Sequence, residues 1–180
     1  MHIYLIRHPP PIDADGLCYG RLDVMVEREA IIAAAESLSG HLSSQTLATA
    51  PIYSSPSSRC LGLAQHIASP RQPAPADDLI EMNFGLWQGR RWDAIAQDEI
   101  DAWAKDVWQY RPGGGESAEM VAVRWERWLQ QVRQRHDGDV VAVTHAGVIR
   151  VALARSGRIP DSLALEAHIP FGSIHRLDLG

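Results

Sequence analysis

Ile3-Tyr4-Leu5-Ile6-Arg7-His8-Pro9-Pro10-Pro11 is the stretch that decides how the rest of the chain is read. Ile3 to Ile6 is a short apolar run of the kind that forms a buried strand, and Arg7 and His8 follow where it ends. Three prolines then stop the strand and stiffen its exit, because proline fixes φ and has no N–H to give a neighbour. In open α/β sheets, ligands bind beyond the carboxyl ends of the strands. A guanidinium and an imidazole therefore stand where an anionic ligand docks, and His8 is a candidate nucleophile towards phosphate.

A second run of the same kind lies far downstream. Val140 to Val143 is four apolar β-formers in a row, and it delivers Thr144-His145-Ala146-Gly147 ahead of a helix over 148–154. Between the two, 12–26 has Gly16 and Gly20 but no sustained period, which predicts a long loop. A helix is expected from Glu27, with Ile31, Ala35, Leu38 and Leu42 inward and Gly40 as its stop. Leu47 to Tyr53 is expected as a second strand, with Pro51 shortening it or placing it at an edge.

In Ser54-Ser55-Pro56-Ser57-Ser58-Arg59 the pattern predicts a helix capped by Ser55, with Pro56 in first position and Arg59 in the first turn. There the backbone N–H groups also attract anions. A linker over 70–78 follows, then a short strand Leu79 to Glu81 entering a loop over 82–89. Trp92 to Trp108 is expected to be helical, with Ile95, Trp103 and Val107 inward. Ser117 caps the longest helix, striped by Val121, Trp125, Trp128, Leu129 and Val132, and Ile174 to Leu179 is the final strand. Strands alternating with helices predict an α/β fold: a single-domain three-layer α/β/α sandwich with a mostly parallel sheet, spanning 1–180.

With 180 residues, 46% of them hydrophobic and 22% charged, the chain is large enough to bury a core. A net charge of -5 argues against nucleic acid or an anionic membrane as partner, so any phosphate binding is local. No apolar run reaches the length of a membrane span, and Met1-His2-Ile3 lacks the basic and apolar regions of a signal peptide, so the cytoplasm is the expected compartment. Cys18 and Cys60 form no metal spacing; two thiols point to a reducing compartment, with a Cys18–Cys60 bridge left open. His2, His41, His66, His136, His168 and His175 likewise show no metal spacing and are assigned to the surface or to satisfied core positions. The tryptophans are assigned mostly to the core, with Trp87 and Trp108 as the pair able to line a pocket.

Phosphate monoesters hydrolyse slowly, so a catalyst needs several aligned groups. A neutral imidazole serves as nucleophile. Arginine forks stabilise the phosphoryl oxygens, and an acid protonates the leaving oxygen. His8 fits the first role, Arg7 and Arg59 the clamp, His145 a second donor and Glu81 the acid. Cations near His8 oppose its protonation, and a backbone carbonyl on its other nitrogen is needed to fix the tautomer. Glu116, beside the Gly113–Gly115 turn, reads as a helix-dipole partner.

Ile6-Arg7-His8-Pro9, Ser54 to Arg59, Glu81-Met82-Asn83-Phe84-Gly85-Leu86-Trp87-Gln88-Gly89 and Thr144 to Arg150 together resemble the histidine phosphatase (phosphoglycerate-mutase-like) superfamily. The resemblance implies a phosphohistidine at His8, a phosphate pocket of Arg7, Arg59 and His145, Glu81 as proton donor, and no metal or other cofactor. Gly16-Leu17-Cys18-Tyr19-Gly20-Arg21-Leu22-Asp23-Val24 looks most like the alpha-ribazole phosphatases within it. By that likeness Arg21 and Ala146 join the substrate-binding residues and the substrate is a small phosphate monoester such as alpha-ribazole 5′-phosphate. Pro9 stands where the family usually has glycine and Ala14 where it often has asparagine, and the second glycine after His145 is shifted, since Ala146 precedes Gly147. A phosphoglycerate mutase or broad phosphatase is the alternative enzyme, a phospho-ligand binding module the alternative from another class, and a second copy of the chain the one macromolecular partner the reading allows.

Overall fold

The computed structural model describes residues 1–38, 40–164 and 166–180. At its centre β1 (His2–Arg7) pairs in parallel with β4 (Val140–Thr144), Ile3 opposite Val140 and Arg7 opposite Thr144. On the far side of β4 lies β2 (Ile52–Ser54), also parallel, followed by the two-residue β3 (Ala74–Pro75). β5 (Ile174–Asp178) closes the opposite edge, antiparallel to β1. The order is therefore β3-β2-β4-β1-β5, a mostly parallel sheet.

Both faces of this sheet are covered, which is why β1 and β4 read as continuous apolar runs rather than alternating ones. Ile3, Leu5, Val140 and Ala142 point to one face, where α5 (Ala118–Arg135) and α6 (Ala146–Arg155) pack. Ile6, Val141 and Val143 point to the other, against α3 (Ser58–Ala68) and α1 (Arg28–Leu38). Each such aliphatic side chain contributes about 1.5–3 kcal/mol by leaving water. The three-layer α/β/α sandwich read from the sequence is the fold observed. Ser117 caps α5 as expected, its Oγ accepting the Met120 N–H at 3.3 Å, and Val121, Trp125, Trp128 and Val132 are buried.

Several local expectations need correction. Residues 47–53 are not one strand. Ser43 caps a short helix, α2 (Ser44–Thr49), through its Oγ and the Thr46 N–H, and Pro51 confines the strand to Ile52–Ser54. β2 lies between β4 and β3, so Pro51 shortens it without marking an edge. Ser55 is not the cap of α3; the helix begins at Ser58, whose N–H and O–H both donate to Asp23 Oδ1, at 3.0 and 2.7 Å. An acidic side chain from the long loop thus does the capping, which local sequence could not reveal.

Arg59 nonetheless falls in the first turn, as expected. Leu79 to Glu81 is no strand: Asp77–Leu79 forms a 3-10 turn, Ile80 leaves it in extended form, and neither Ile80 nor Glu81 has a sheet partner. The 92–108 segment is broken into a 3-10 turn at Trp92–Ala94 and α4 (Gln97–Lys105), with Ile95 buried between them. The 70–78 linker contains β3. Cys18 and Cys60 are both buried and both free, so no bridge joins them. Among the described residues no helix is long and apolar enough to cross a membrane.

Candidate active site

The sheet register brings the predicted residues together. Arg7 lies opposite Thr144, and Val143 lies opposite Ser54, so His8, His145 and Ser55 are the first residues past three adjacent strand ends. Backbone bonds hold that alignment: His8 N–H donates to Thr144 O at 3.1 Å and Ser55 N–H to Val143 O at 2.9 Å. The His8 and His145 rings meet edge-on with centroids 5.2 Å apart. His145 Nε2 lies 2.8 Å from Ser55 Oγ and 3.4 Å from the Cys60 sulfur.

His8 Nδ1 is 2.7 Å from the carbonyl oxygen of Pro9. A carbonyl only accepts, so the neutral ring keeps its one proton on Nδ1 and its lone pair on Nε2. The proline that departs from the family pattern still supplies this carbonyl. Burial pulls the His8 pKa down to about 3, and Arg59 and Arg7 add to the effect against the Pro9 hydrogen bond. Burial, and not the neighbouring cations expected from sequence, is thus the larger cause. Burial likewise holds His145 well below the ordinary range, with His8 and three arginines, Arg59 foremost, reinforcing it.

This has a consequence for acid stability. In the unfolded chain both imidazoles take a proton near pH 6.5, whereas the folded forms resist it, so unfolding binds protons below that pH. Stability is unaffected by these groups above about pH 6.5 and falls below it, by about 1.4 kcal/mol per pH unit for each histidine, until His8 itself titrates near pH 3. Urea midpoints followed from about pH 7 down to about pH 4 should therefore drop less steeply for His8→Asn than for the parent chain. Equal slopes would contradict a buried neutral His8.

Arg59 is 1% exposed and donates to the carbonyls of Gly20 and Leu22, at 2.6 and 2.8 Å, so it ties the long loop to α3. Arg7 donates to Ile169 O and lies under the Phe171 ring, 3.6 Å from its centroid. The Nε atoms of both arginines are buried without a hydrogen-bond acceptor. Orphaned buried donors are costly and rare, and two of them flank one imidazole.

Glu81 is 8% exposed and comes to the same place. One oxygen accepts the Met82 N–H at 2.8 Å and the other the Gly147 N–H at 3.2 Å, in the first turn of α6. A Cβ on Gly147 would stand 2.4 Å from Glu81 Oε1, so only glycine allows this approach. Ala146 lines the cavity beside it.

That cavity, of about 290 Å³, is lined by Arg7, Tyr19, Glu81, Phe84, Trp92 and Arg150 among others; His8, Arg59 and His145 are buried and not among its lining residues. Trp92 lines the cavity where Trp87 and Trp108 were the expected pair. Trp87 is 1% exposed and donates to Glu99, while Trp108 donates to Asp161 O. Tyr19, Phe171 and Arg150 carry no role in the sequence reading, and Ser55 only that of a helix cap. Tyr19, Ser55 and Arg150 nonetheless lie inside the family-like motifs, whereas Phe171 lies in none.

Arg21 is engaged elsewhere: its guanidinium pairs with Glu116 at 2.9 Å and its Nε donates to Glu81 O at 3.1 Å. Glu116 is correspondingly an ion-pair partner of Arg21 and Arg124 and accepts the Asn83 N–H, which replaces the helix-dipole role expected for it. Among the described residues no group of three or more His, Cys, Asp or Glu gathers as a metal site.

A mostly parallel sheet thus gathers two neutral imidazoles, two arginines and a carboxyl group beyond its central strand ends, the arrangement of an α/β protein with an anion site there. The histidine phosphatase superfamily (branch 1) matches residues 3–180, and the chain belongs to that superfamily. It is similar to the metal-independent phosphoserine phosphatase of Arabidopsis thaliana, 36% identical over 83 residues that make up 43% of this chain and 35% of that protein. It is also similar to phosphoserine phosphatase 1 of Hydrogenobacter thermophilus, 30% identical over 105 residues, or 55% of this chain and 50% of that one. The chain thus aligns with a third to a half of these curated relatives. Among solved structures, the alpha-ribazole phosphatase of Shigella flexneri superposes with a TM-score of 0.81 at 26% identity, covering 100% of this chain and 91% of that one.

Proposed function

We propose that this chain is a phosphomonoesterase that passes the phosphoryl group of a small ester through Nε2 of His8 to water, without a metal. The observation that carries the reading is the Nδ1–H held by the Pro9 carbonyl on a ring that burial keeps neutral, which leaves Nε2 free to attack. Arg7 and Arg59 offer their unpartnered donors to the phosphoryl oxygens, and His145 adds a neutral ring beside them.

In the first half, Nε2 attacks phosphorus, the P–O ester bond breaks as the P–N bond forms, and the leaving oxygen takes the proton of the Glu81 carboxylic acid. In the second, the Glu81 carboxylate takes a proton from water as its oxygen attacks phosphorus. The P–N electron pair returns to Nε2, inorganic phosphate leaves, and the acid is re-formed.

For the substrate, the Shigella neighbour and the exposed Trp92 face, stacked on Trp103 beside the Phe84 ring, support a nucleotide-like ester such as alpha-ribazole 5′-phosphate. A second reading rests on Arg150. Its Nε donates to Ala167 O, while its terminal nitrogens have no partner among the described residues, and the side chain lines the cavity. A carboxylate on the leaving group suits such a fork, as in phosphoserine, after which the two curated relatives are named.

Phosphate release from alpha-ribazole 5′-phosphate, phosphoserine and 4-nitrophenyl phosphate, with excess chelator, tests these readings together. The first expects the nucleotide-like ester to be preferred and Arg150→Met to leave its KM nearly unchanged. The second expects phosphoserine to be preferred, with KM raised about 10-fold or more in Arg150→Met. Transfer between the hydroxyls of a phosphoglycerate, with no release to water, would make the protein a mutase. Folded protein inert towards every ester would sink the enzymatic reading.

A further inference from the structure

The segment that carries Glu81 has no strand partner of its own, yet an acid catalyst must be held to within a fraction of an ångström. Its backbone is gripped by one cluster of three charged side chains. Arg124 donates to Asp78 O at 2.6 Å, Arg21 to Glu81 O at 3.1 Å, and Glu116 accepts the Asn83 N–H at 2.9 Å. Glu116 binds the other two members, Arg21 at 2.9 Å and Arg124 at 3.3 Å. Grips therefore fall on both sides of Glu81 and on Glu81 itself.

A second set of contacts brings Glu116 within reach. The turn Gly113–Gly115 packs backbone to backbone on residues 83–87, and Glu116 N–H donates to Asn83 O at 2.7 Å. A Cβ on Gly85 would meet Gly113 O at 2.1 Å, and one on Gly115 would meet Asn83 O at 2.0 Å. No side chain fits between these two segments. The approach is close because it carries the Glu116 carboxylate to the backbone of the acid-bearing loop.

Stability is a weak reason for such a cluster. Arg124 and Glu116 are mostly buried, and a desolvated pair loses much of its Coulomb gain; the partly exposed Arg21 contact is a weak one. Fixing a position is a better-attested use, and here every free edge of the cluster ends on the same six-residue stretch. Arg21 commits its Nε to the Glu81 carbonyl and its Nη2 to Glu116, and it does not line the cavity.

We infer that Arg21, Glu116 and Arg124 form a positioning clamp for the Glu81 acid, and that Arg21 acts through Glu81 and not on the phosphoryl group. The inference rests on the phosphatase reading above. Its signature is a dependence on the leaving group. An ester whose leaving oxygen needs protonation suffers when the acid drifts, whereas one that leaves as a stable anion does not.

The test compares kcat/KM for phenyl phosphate and 4-nitrophenyl phosphate, two esters of similar shape, in the parent chain, Arg21→Met and Arg21→Lys. Inhibition by inorganic phosphate is measured alongside. Arg21 is about a third exposed on its side chain, so its loss should leave the fold intact, and thermal midpoints will verify this. Arg21→Met is expected to lower kcat/KM for phenyl phosphate by about 30-fold or more and for 4-nitrophenyl phosphate by less than about 3-fold. Phosphate inhibition should stay within about 2-fold of the parent, and Arg21→Lys, which keeps the Glu116 pair, should recover part of the loss. An equal loss on both esters, or weakened phosphate inhibition, overturns the clamp and returns Arg21 to the phosphate pocket or to a general structural role. A parent chain that hydrolyses neither ester fails at the earlier step, the phosphatase reading itself.

Discussion

His8→Ala is expected to lower turnover on any ester by on the order of 10⁵-fold or more and to abolish acid-labile phosphate on the protein. The size follows from the role: without Nε2 there is no covalent path, and the remaining arginines can only bind. His8 sits among the Tyr19, His145 and Phe171 rings, so alanine also leaves a small void. His8→Asn separates the two effects. Its amide can still donate towards the Pro9 carbonyl and fills more of the space, but it offers no nucleophile. Equal loss in both variants, read by rapid-quench trapping of phosphoenzyme beside steady-state turnover, assigns the loss to chemistry. Turnover that survives in either variant removes the phosphohistidine route.

The second large effect is expected at a residue that has no side chain to offer the substrate. In Gly147→Ala the new methyl would lie 2.4 Å from Glu81 Oε1, so the carboxyl must swing away. Moving a flexible carboxyl costs about 0.5–1.5 kcal/mol, and alanine recovers up to about 1 kcal/mol over glycine in a helix. The thermal midpoint should therefore hardly move, while kcat/KM for a poor leaving group falls about 100-fold, the scale of a lost general acid. Glu81→Gln should show the same loss. A Gly147→Ala protein with full activity on phenyl phosphate would mean that Glu81 is not the proton donor.

The parts of the fold that the sequence made legible are those where one physical signal acts alone. β1 and β4 are apolar because both faces are covered, and Ser117 precedes its helix stripe with a hydroxyl in capping position. His8, Arg7, Arg59 and His145 stand out in the sequence because each lies beside such an element. Illegible features depend on distant partners. Leu47 with threonines around it suits strand or helix, and the Ser43 cap decides. α3 takes its cap from Asp23, and Arg21 turns towards Glu116, nearly a hundred residues away in sequence. Phe171 reaches His8 only through tertiary packing and no local pattern marks it, while Tyr19 lies in a family-like stretch that does not reveal its packing on His8.

The strap over Arg7 has a bearing on how the protein is made. Arg7 N–H donates to Ser173 O, Gly172 N–H donates to Arg7 O, and Phe171 covers the guanidinium. The parallel partner of β1 begins only at Val140. At ribosomal speeds of about 5–20 residues per second, roughly ten seconds pass between the emergence of the two strands. Throughout that interval the nascent β1 is an apolar segment without its parallel partner. His8 is already present but has neither its cationic neighbour fixed nor its second imidazole. Assembly of the centre therefore waits until residues 169–173 are free to close over Arg7.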